Sequence, residues 1–283
     1  MLGLGSGINK LSSAESAAIA ARSGSSYLLD SYSGAAVAYS LRQLSSEYSG
    51  SAIKVRRSSD NAEADIGFSN GRLDVSALSA HCGSSDGFIS VWYDQSSNRN
   101  NATQGTASKQ PKIYNGSSVF TVSGQPSISF DGIDDAVHFD PGDGDTINYF
   151  NVVQKDVVDV WSYMRLYAGS NFRGQLVSVS GGLYYTPANR TPAGTVNSGV
   201  NIPYGSPVIH SFLVTPTVAN TFANGVGNTS QLTNTPVVRN MQVTRDGNAY
   251  IEMYISEIVG YLSDQSSNRT GIEGNMNDFY SIY

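Results

Sequence analysis

The chain has one cysteine, Cys82, in 283 residues. That excludes an intramolecular disulfide and any cysteine-built zinc cluster, and three histidines leave little for another zinc site. Charge is scarce: 14% of the residues are Asp, Glu, Lys or Arg, against roughly 25% in ordinary proteins. Net charge is −6 and the pI about 5.0. Nucleic-acid binding relies on clustered Lys and Arg that displace counterions, so no nucleic-acid partner is expected. No apolar run approaches the ~20 residues of a membrane span. The opening MLGLGSGINK does not read as a signal peptide, because Lys10 follows the apolar residues and no continuous apolar region comes next. Synthesis in a cytosol is the expectation.

What replaces charge is Ser, Asn, Thr, Gln and 29 Gly, and the 17 Tyr outnumber the 10 Phe. Disorder requires high charge and few aromatics, the reverse of this composition. A neutral, hydroxyl-rich, aromatic surface suits contact with sugars or with other protein subunits. The length is compatible with one all-β unit.

Ser12 is placed to cap a helix over Ser13–Arg22, with Glu15 at capping-box spacing. Tyr27–Tyr48 is read as helical or loop, because Ala35, Val37, Ala38, Leu41 and Leu44 form an approximate helical stripe. From Ala52 the period changes. Ile53–Val55 and Phe88–Tyr93 read as strands, then Lys112–Tyr114, Val119–Val122, Ser127–Phe130 and Ala136–Phe139, separated by Asn-Gly, Ser-Gly and Asp-Gly turns. Further strands are expected at Thr146–Val153, Gln175–Val179, Val208–Val214, Asn220–Ala223, Val237–Val243 and Tyr250–Tyr261. A helix near 264–277 follows, with Ile272 and Met276 on one face. Short strands with frequent turns and no alternating helices predict an all-β, two-sheet antiparallel jelly-roll sandwich. Residues 1–34 would be an anchoring arm and 35–283 the jelly-roll domain. The hexapeptide Asp-Gln-Ser-Ser-Asn-Arg occurs at 94–99 and 264–269 and is read as coincidence.

Two blocks carry a resemblance. Ala38-Tyr39-Ser40-Leu41-Arg42, Val55 through Phe68, Trp92-Tyr93-Asp94-Gln95-Ser96 and Asn101-Ala102-Thr103-Gln104 resemble the start of the catalytic domain of B-class α-L-arabinofuranosidases. The same block is similar to one in many bacteriophage and bacterial proteins. Ser129 through Val137, Phe222-Ala223-Asn224-Gly225 and Tyr254 through Asp264 resemble concanavalin A-like lectin/glucanase and laminin-G-like modules. The resemblance implies a two-sheet jelly roll over about residues 35–283. The first ten residues are similar to the start of several phage virion proteins.

A retaining glycosidase needs two carboxyl groups about 5–5.5 Å apart. The chain has only six Glu, at 15, 47, 63, 252, 257 and 273. Glu252 and Glu257 share one strand, and their odd spacing predicts opposite faces unless a bulge intervenes. No segment matches the family's nucleophile or acid, so no catalytic residue is assigned, and Glu257 is read as structural. Asp60, Glu63 and Asp65 beside Arg56 and Arg57 read as a salt-bridged loop. Asp131, Asp134, Asp135, Asp140, Asp143 and Asp145 make the densest acidic stretch. Within it Asp140, Asp143 and Asp145 are the candidate metal ligands, with calcium the one cofactor considered, because Gly permits tight turning around hard oxygen ligands. His81, His138 and His210 are scattered and read as structural, and Trp92 as core. Trp161, Tyr163, Tyr167, Tyr184 and Tyr185 are the candidate glycan-binding aromatics, since rings lie flat on sugar faces.

These readings converge on an expectation of a non-enzymatic bacteriophage virion structural protein. It would be a capsid decoration, head fibre or tail component, assembled in the bacterial cytoplasm. Leu2, Leu4, Ile8, Leu11 and Ile19 would mediate assembly with other virion proteins or into a homo-oligomer such as a trimer. The jelly roll would face a host-surface glycan. The alternatives are a glycoside hydrolase of α-L-arabinofuranosidase type and a carbohydrate-binding module.

Overall fold

A computed structural model of the chain describes backbone and side chains at residues 27–155, 205–215, 217–229 and 252–283, and the backbone pairing of several strands between them. The ten-residue strand Glu252–Tyr261 lies at the centre. One of its edges pairs with Ile147–Lys155; the other pairs with Ile128–Asp131 and then with Val37–Ser40. Outward from Ile147–Lys155 come Pro207–Val214, Val218–Ala223 and Val226–Gln231. On the far side a single pair, Ser129 with Lys112, leads from Ile128–Asp131 into Lys112–Asn115, then Asp86–Trp92, Ile53–Arg57 and Glu63–Ile66. Every one of these pairings is antiparallel.

The main core lies between the two halves. It takes Tyr149, Phe212 and Ile258 from the first and Val55, Ile89, Trp92 and Ile113 from the second. A second apolar cluster joins Phe150, Val152, Ile209, Val259 and Tyr261 to Ile272, Met276 and Tyr280 of the C-terminal helix Arg269–Tyr280. The first sheet is therefore covered on both faces. The all-β antiparallel sandwich of jelly-roll type expected from the sequence is the one that forms.

Covering both faces explains the main departure from the sequence reading. Val37–Ser40 is a strand, not part of a helix. Val37 and Tyr39 enter the main core while Ala38 enters the second cluster. With both faces buried the strand loses its polar alternation, and its apolar residues imitate helical spacing. The helix Val75–Cys82 goes unread in the sequence. Asp74 caps it by accepting from the Ala77 amide at 2.9 Å, and Leu78 and Cys82 are buried beneath it. The C-terminal helix begins at Arg269 rather than 264 and includes Phe279 and Tyr280.

A bulge corrects the reading of the central strand. Ile255 faces Val153 and Glu257 faces Val152, so Ser256 is an extra residue. One inserted residue reverses the alternation. Met253, Ile255 and Ile258 thus share the main core, while Val259 and Tyr261 face the helix. Glu252 and Glu257 consequently lie on one face, not on opposite ones. They are still five residues apart, about 15 Å at strand rise.

The expected helix Ser13–Arg22 and the assembly residues Leu2, Leu4, Ile8, Leu11 and Ile19 lie outside the described residues. Leu28, in the short helix Leu28–Ser31, is fully buried in the second cluster.

Candidate functional site

Among the described residues, three carboxylates with no more than 1% exposure tie the sandwich together. Asp94 follows the strand Asp86–Trp92 and has no exposure. It accepts from the amides of Ala38 (2.7 Å), Ser96 (2.9 Å) and Asn100 (2.8 Å) and from the Ser96 hydroxyl (2.7 Å). Burial pushes this carboxyl above the usual carboxylate range, while those donors pull it down. Next to it, Gln95 accepts from the Leu44 amide at 2.7 Å and donates to the carbonyls of Ser40 and Arg42. The Trp-Tyr-Asp-Gln-Ser motif thus fastens the turn after one strand to Val37–Arg42 in the other half.

Glu257 is equally enclosed. Arg42 grips it with two nitrogens at 2.8 and 2.9 Å, Ser40 donates at 2.7 Å and Tyr280 at 3.2 Å. Burial works against the Arg42 charge, yet the Glu257 carboxylate more than offsets this and holds the guanidinium above its usual range. Glu273, on the C-terminal helix, pairs with Arg269 at 2.5 Å and accepts from Ser211. The structural reading of Glu257 agrees with this placement. None of these three carboxylates is open to a substrate.

Further carboxyl groups converge on the turn after Ile128–Asp131, where Asp131 is exposed, Asp134 half-buried and Asp135 buried. Oxygens of Asp131, Asp134 and Asp135 lie within 4.8 Å of one another. Glu252 stands opposite Asp131 across the strand pair. Burial, then the Asp131 charge, raises Asp135 to about 7, so near neutrality a part of it carries a proton. Much of the trio serves the turn itself. Asp131 accepts from the Ile133 amide at 2.8 Å, and Asp135 accepts from the Asp131 amide at 3.0 Å. The candidate metal ligands Asp140, Asp143 and Asp145 are all exposed, and Asp140 caps the Gly142 amide at 2.9 Å. The carboxylates drawn together are therefore the earlier ones of the acidic stretch.

The expected salt-bridged loop is partly present. Arg57 pairs with Asp60 at 2.6 Å, and this hydrogen bond helps bring the Asp60 carboxyl down to about 2. Glu63 and Asp65 sit on the strand Glu63–Ile66, with Lys54 4.0 Å from Asp65.

The inner face of the first sheet carries polar groups of which the sequence reading named only His210, as structural. Asn151 and His210 pair across neighbouring strands, as do Phe212 and Thr221. His210 bonds the Thr221 hydroxyl at 2.8 Å, and burial lowers its pKa to about 3, so the imidazole is neutral. Tyr149 stacks on Phe212 with ring centroids 5.4 Å apart, and opposite it Gly260 has no room for a side chain. Inward-facing polar residues at alternate positions were the available signal, but the apolar residues around them hid it.

Among the candidate glycan-binding aromatics, Trp161, Tyr163 and Tyr167 fall on the strand Trp161–Ala168. Tyr184 and Tyr185 fall on Gly182–Pro187. Their side chains lie outside the described residues.

A family model described as "Alpha-L-arabinofuranosidase B, catalytic" matches residues 12–136. No curated protein matches the sequence. In fold, the chain is similar to a GH54 α-L-arabinofuranosidase soaked with a cyclic sulfate inhibitor, at 16% identity and a TM-score of 0.65. An arabinofuranosidase complexed with arabinofuranosyl-α-1,2-xylobiose is similar at 17% identity, also with a TM-score of 0.65. In both comparisons 89% of this chain is covered, and it spans only 64% of the other. These findings overturn the expectation of a non-enzymatic virion structural protein: both the family model and these structures are arabinofuranosidases.

Proposed function

We propose that the chain is a glycoside hydrolase domain of the α-L-arabinofuranosidase type, acting on terminal α-L-arabinofuranosyl groups of a polysaccharide. The observation that carries this reading is the family-model match at residues 12–136. The matched stretch contains the groups that hold the halves of the sandwich in register: Arg42, Asp94 and Gln95. Its role is that of a rigid frame, which a hydrolase needs to hold reacting groups in place.

Glycoside cleavage uses one carboxyl group to protonate the leaving oxygen and a second to attack the sugar or to activate water. The enclosed Asp94, Glu257 and Glu273 do not serve. Among the described residues, the remaining cluster is the one at the Asp131–Asp135 turn: Asp131 and Glu252 are exposed, and the buried Asp135, raised to about 7, is in part protonated near neutrality.

The test is release of nitrophenol from 4-nitrophenyl α-L-arabinofuranoside and of arabinose from arabinoxylan by the purified chain. Release above the spontaneous rate is expected from both. No release from either overturns the proposal. Full activity in Asp135→Asn would place the proton donor outside the Asp131–Asp135 turn.

A further inference from the structure

The turn from Gln95 to Arg99 forms one wall of a cleft of about 260 Å³. Leu29 and Ser33–Ala35 form a second wall, and Ser45, Glu47 and Tyr48 a third. The walls are braced. Asn98 donates to the carbonyls of Ala35 (3.3 Å) and Ala36 (3.0 Å), and Asp94 holds the Asn100 amide immediately after Arg99. Arg99 itself adopts a φ of 57°, a left-handed conformation disfavoured for a residue with a Cβ. Its guanidinium lies over the Tyr48 ring, 4.5 Å from the centroid. Among the described residues, the guanidinium makes one hydrogen bond, a long one of 3.5 Å to the Asp94 carbonyl, for a group with five N–H donors. Among the described residues, the Ser33 and Ser97 hydroxyls and the Glu47 carboxylate have no hydrogen-bond or ion-pair partner.

We infer that this cleft binds a neutral sugar ring. Its lining carries one guanidinium and one carboxylate, so a singly charged ligand of either sign meets a like charge. A sugar hydroxyl both donates and accepts. One ring can therefore donate to Glu47, accept from Arg99, and exchange either role with Ser33 and Ser97. The strained Arg99 turn, fixed before any ligand arrives, lowers the ordering cost of binding. The site is separate from the carboxyl groups at Asp131–Asp135. The inference stands on the lining alone and does not require the chain to hydrolyse anything.

The experiment is a titration of the isotope-labelled full chain with L-arabinose and D-xylose, read by backbone amide shifts. Glycine serves as a zwitterionic control. Shifts confined to residues 33–35, 45–48 and 95–99 are expected with at least one sugar, and none with glycine. Arg99→Ala and Glu47→Gln should each weaken sugar binding roughly tenfold or more, as the loss of a charged hydrogen bond predicts. Neither should change hydrolysis of the nitrophenyl substrate. If Arg99→Ala fails to fold, the exposed Glu47→Gln still decides the matter. No amide response in the cleft, an equal response to glycine, or unchanged affinity in a folded variant overturns the inference. Amide shifts report binding and not product, so failure of the hydrolase reading is seen separately.

Discussion

Asp-Gln-Ser-Ser-Asn-Arg is written twice in this chain, at 94–99 and 264–269, and the two copies fold alike for three residues and then part. In both, the aspartate accepts from the amide two residues on, at 2.9 Å from Ser96 and 2.8 Å from Ser266. In both, the glutamine is buried. There the likeness ends. Asp94 is wholly enclosed and also takes the amides of Ala38 and Asn100, whereas Asp264 is exposed. The Gln95 side chain clasps the chain at Ser40–Leu44, but the Gln265 side chain donates to the nearby Ser263 hydroxyl and only its backbone N–H reaches Asn148. Arg99 turns left-handed over Tyr48, while Arg269 opens a helix and pairs with Glu273 one turn along. Short polar side chains fix a local turn through their own backbone. Beyond the turn, distant partners set the path of the chain: Ala38 in one case, and in the other the apolar face of Ile272 and Met276.

The two copies differ most at their first residue. Asp94→Ala removes four accepted hydrogen bonds in a dry interior. At about 1 kcal/mol each, it should destabilise the chain by ~4 kcal/mol. Asp264→Ala should leave the urea midpoint almost unchanged. Equal losses would mean that burial does not separate the copies. The last residue gives the next largest contrast. Arg269→Met leaves Glu273, 1% exposed, without its cation. This should cost about 3 kcal/mol, the scale for stranding one member of a buried pair. Arg99→Met, at an exposed site, should stay within about 0.5 kcal/mol in the same urea titration.

The same contrast shows why parts of this molecule were legible and others not. Strands such as Ile147–Lys155 and Pro207–Val214 announced themselves by apolar content between turns. Ile272 and Met276 announced the last helix by their spacing, and both are fully buried. Val37–Ser40 did not, because a strand packed on both sides has no polar face to betray its period. The helix Val75–Cys82 was marked only by Asp74 before it and Gly83, with φ 60°, after it. The bulge at Ser256 has no local signature at all; it shows only against Val152 and Val153. For the site the obstacle is distance along the chain. Arg42 and Glu257 stand 215 residues apart, and nothing near either one names the other. The cleft beside Arg99 needs three segments, 29–35, 45–48 and 95–99, that meet only in the folded state.

The smallest expected effect is the sharpest test, because it concerns sign. Arg99 holds φ 57°, and Arg269 is the first residue of an α-helix. Replacing each by Ala and by Gly removes the guanidinium in both cases, so the Ala–Gly difference isolates the backbone. A Cβ in the left-handed region costs roughly 1–2 kcal/mol. Glycine returns part of that gain, roughly 0.5–1 kcal/mol, through its greater freedom when unfolded. At position 99, Gly should therefore be the more stable replacement by about 0.5–1 kcal/mol. At position 269 the backbone is helical and no Cβ penalty exists, so Ala should be the more stable by a similar amount. Urea titrations of the four variants measure both differences. The same order at both positions would show that the conformation of Arg99 is not imposed by the turn around Asp94, and the two copies would then differ in their partners but not in their backbone.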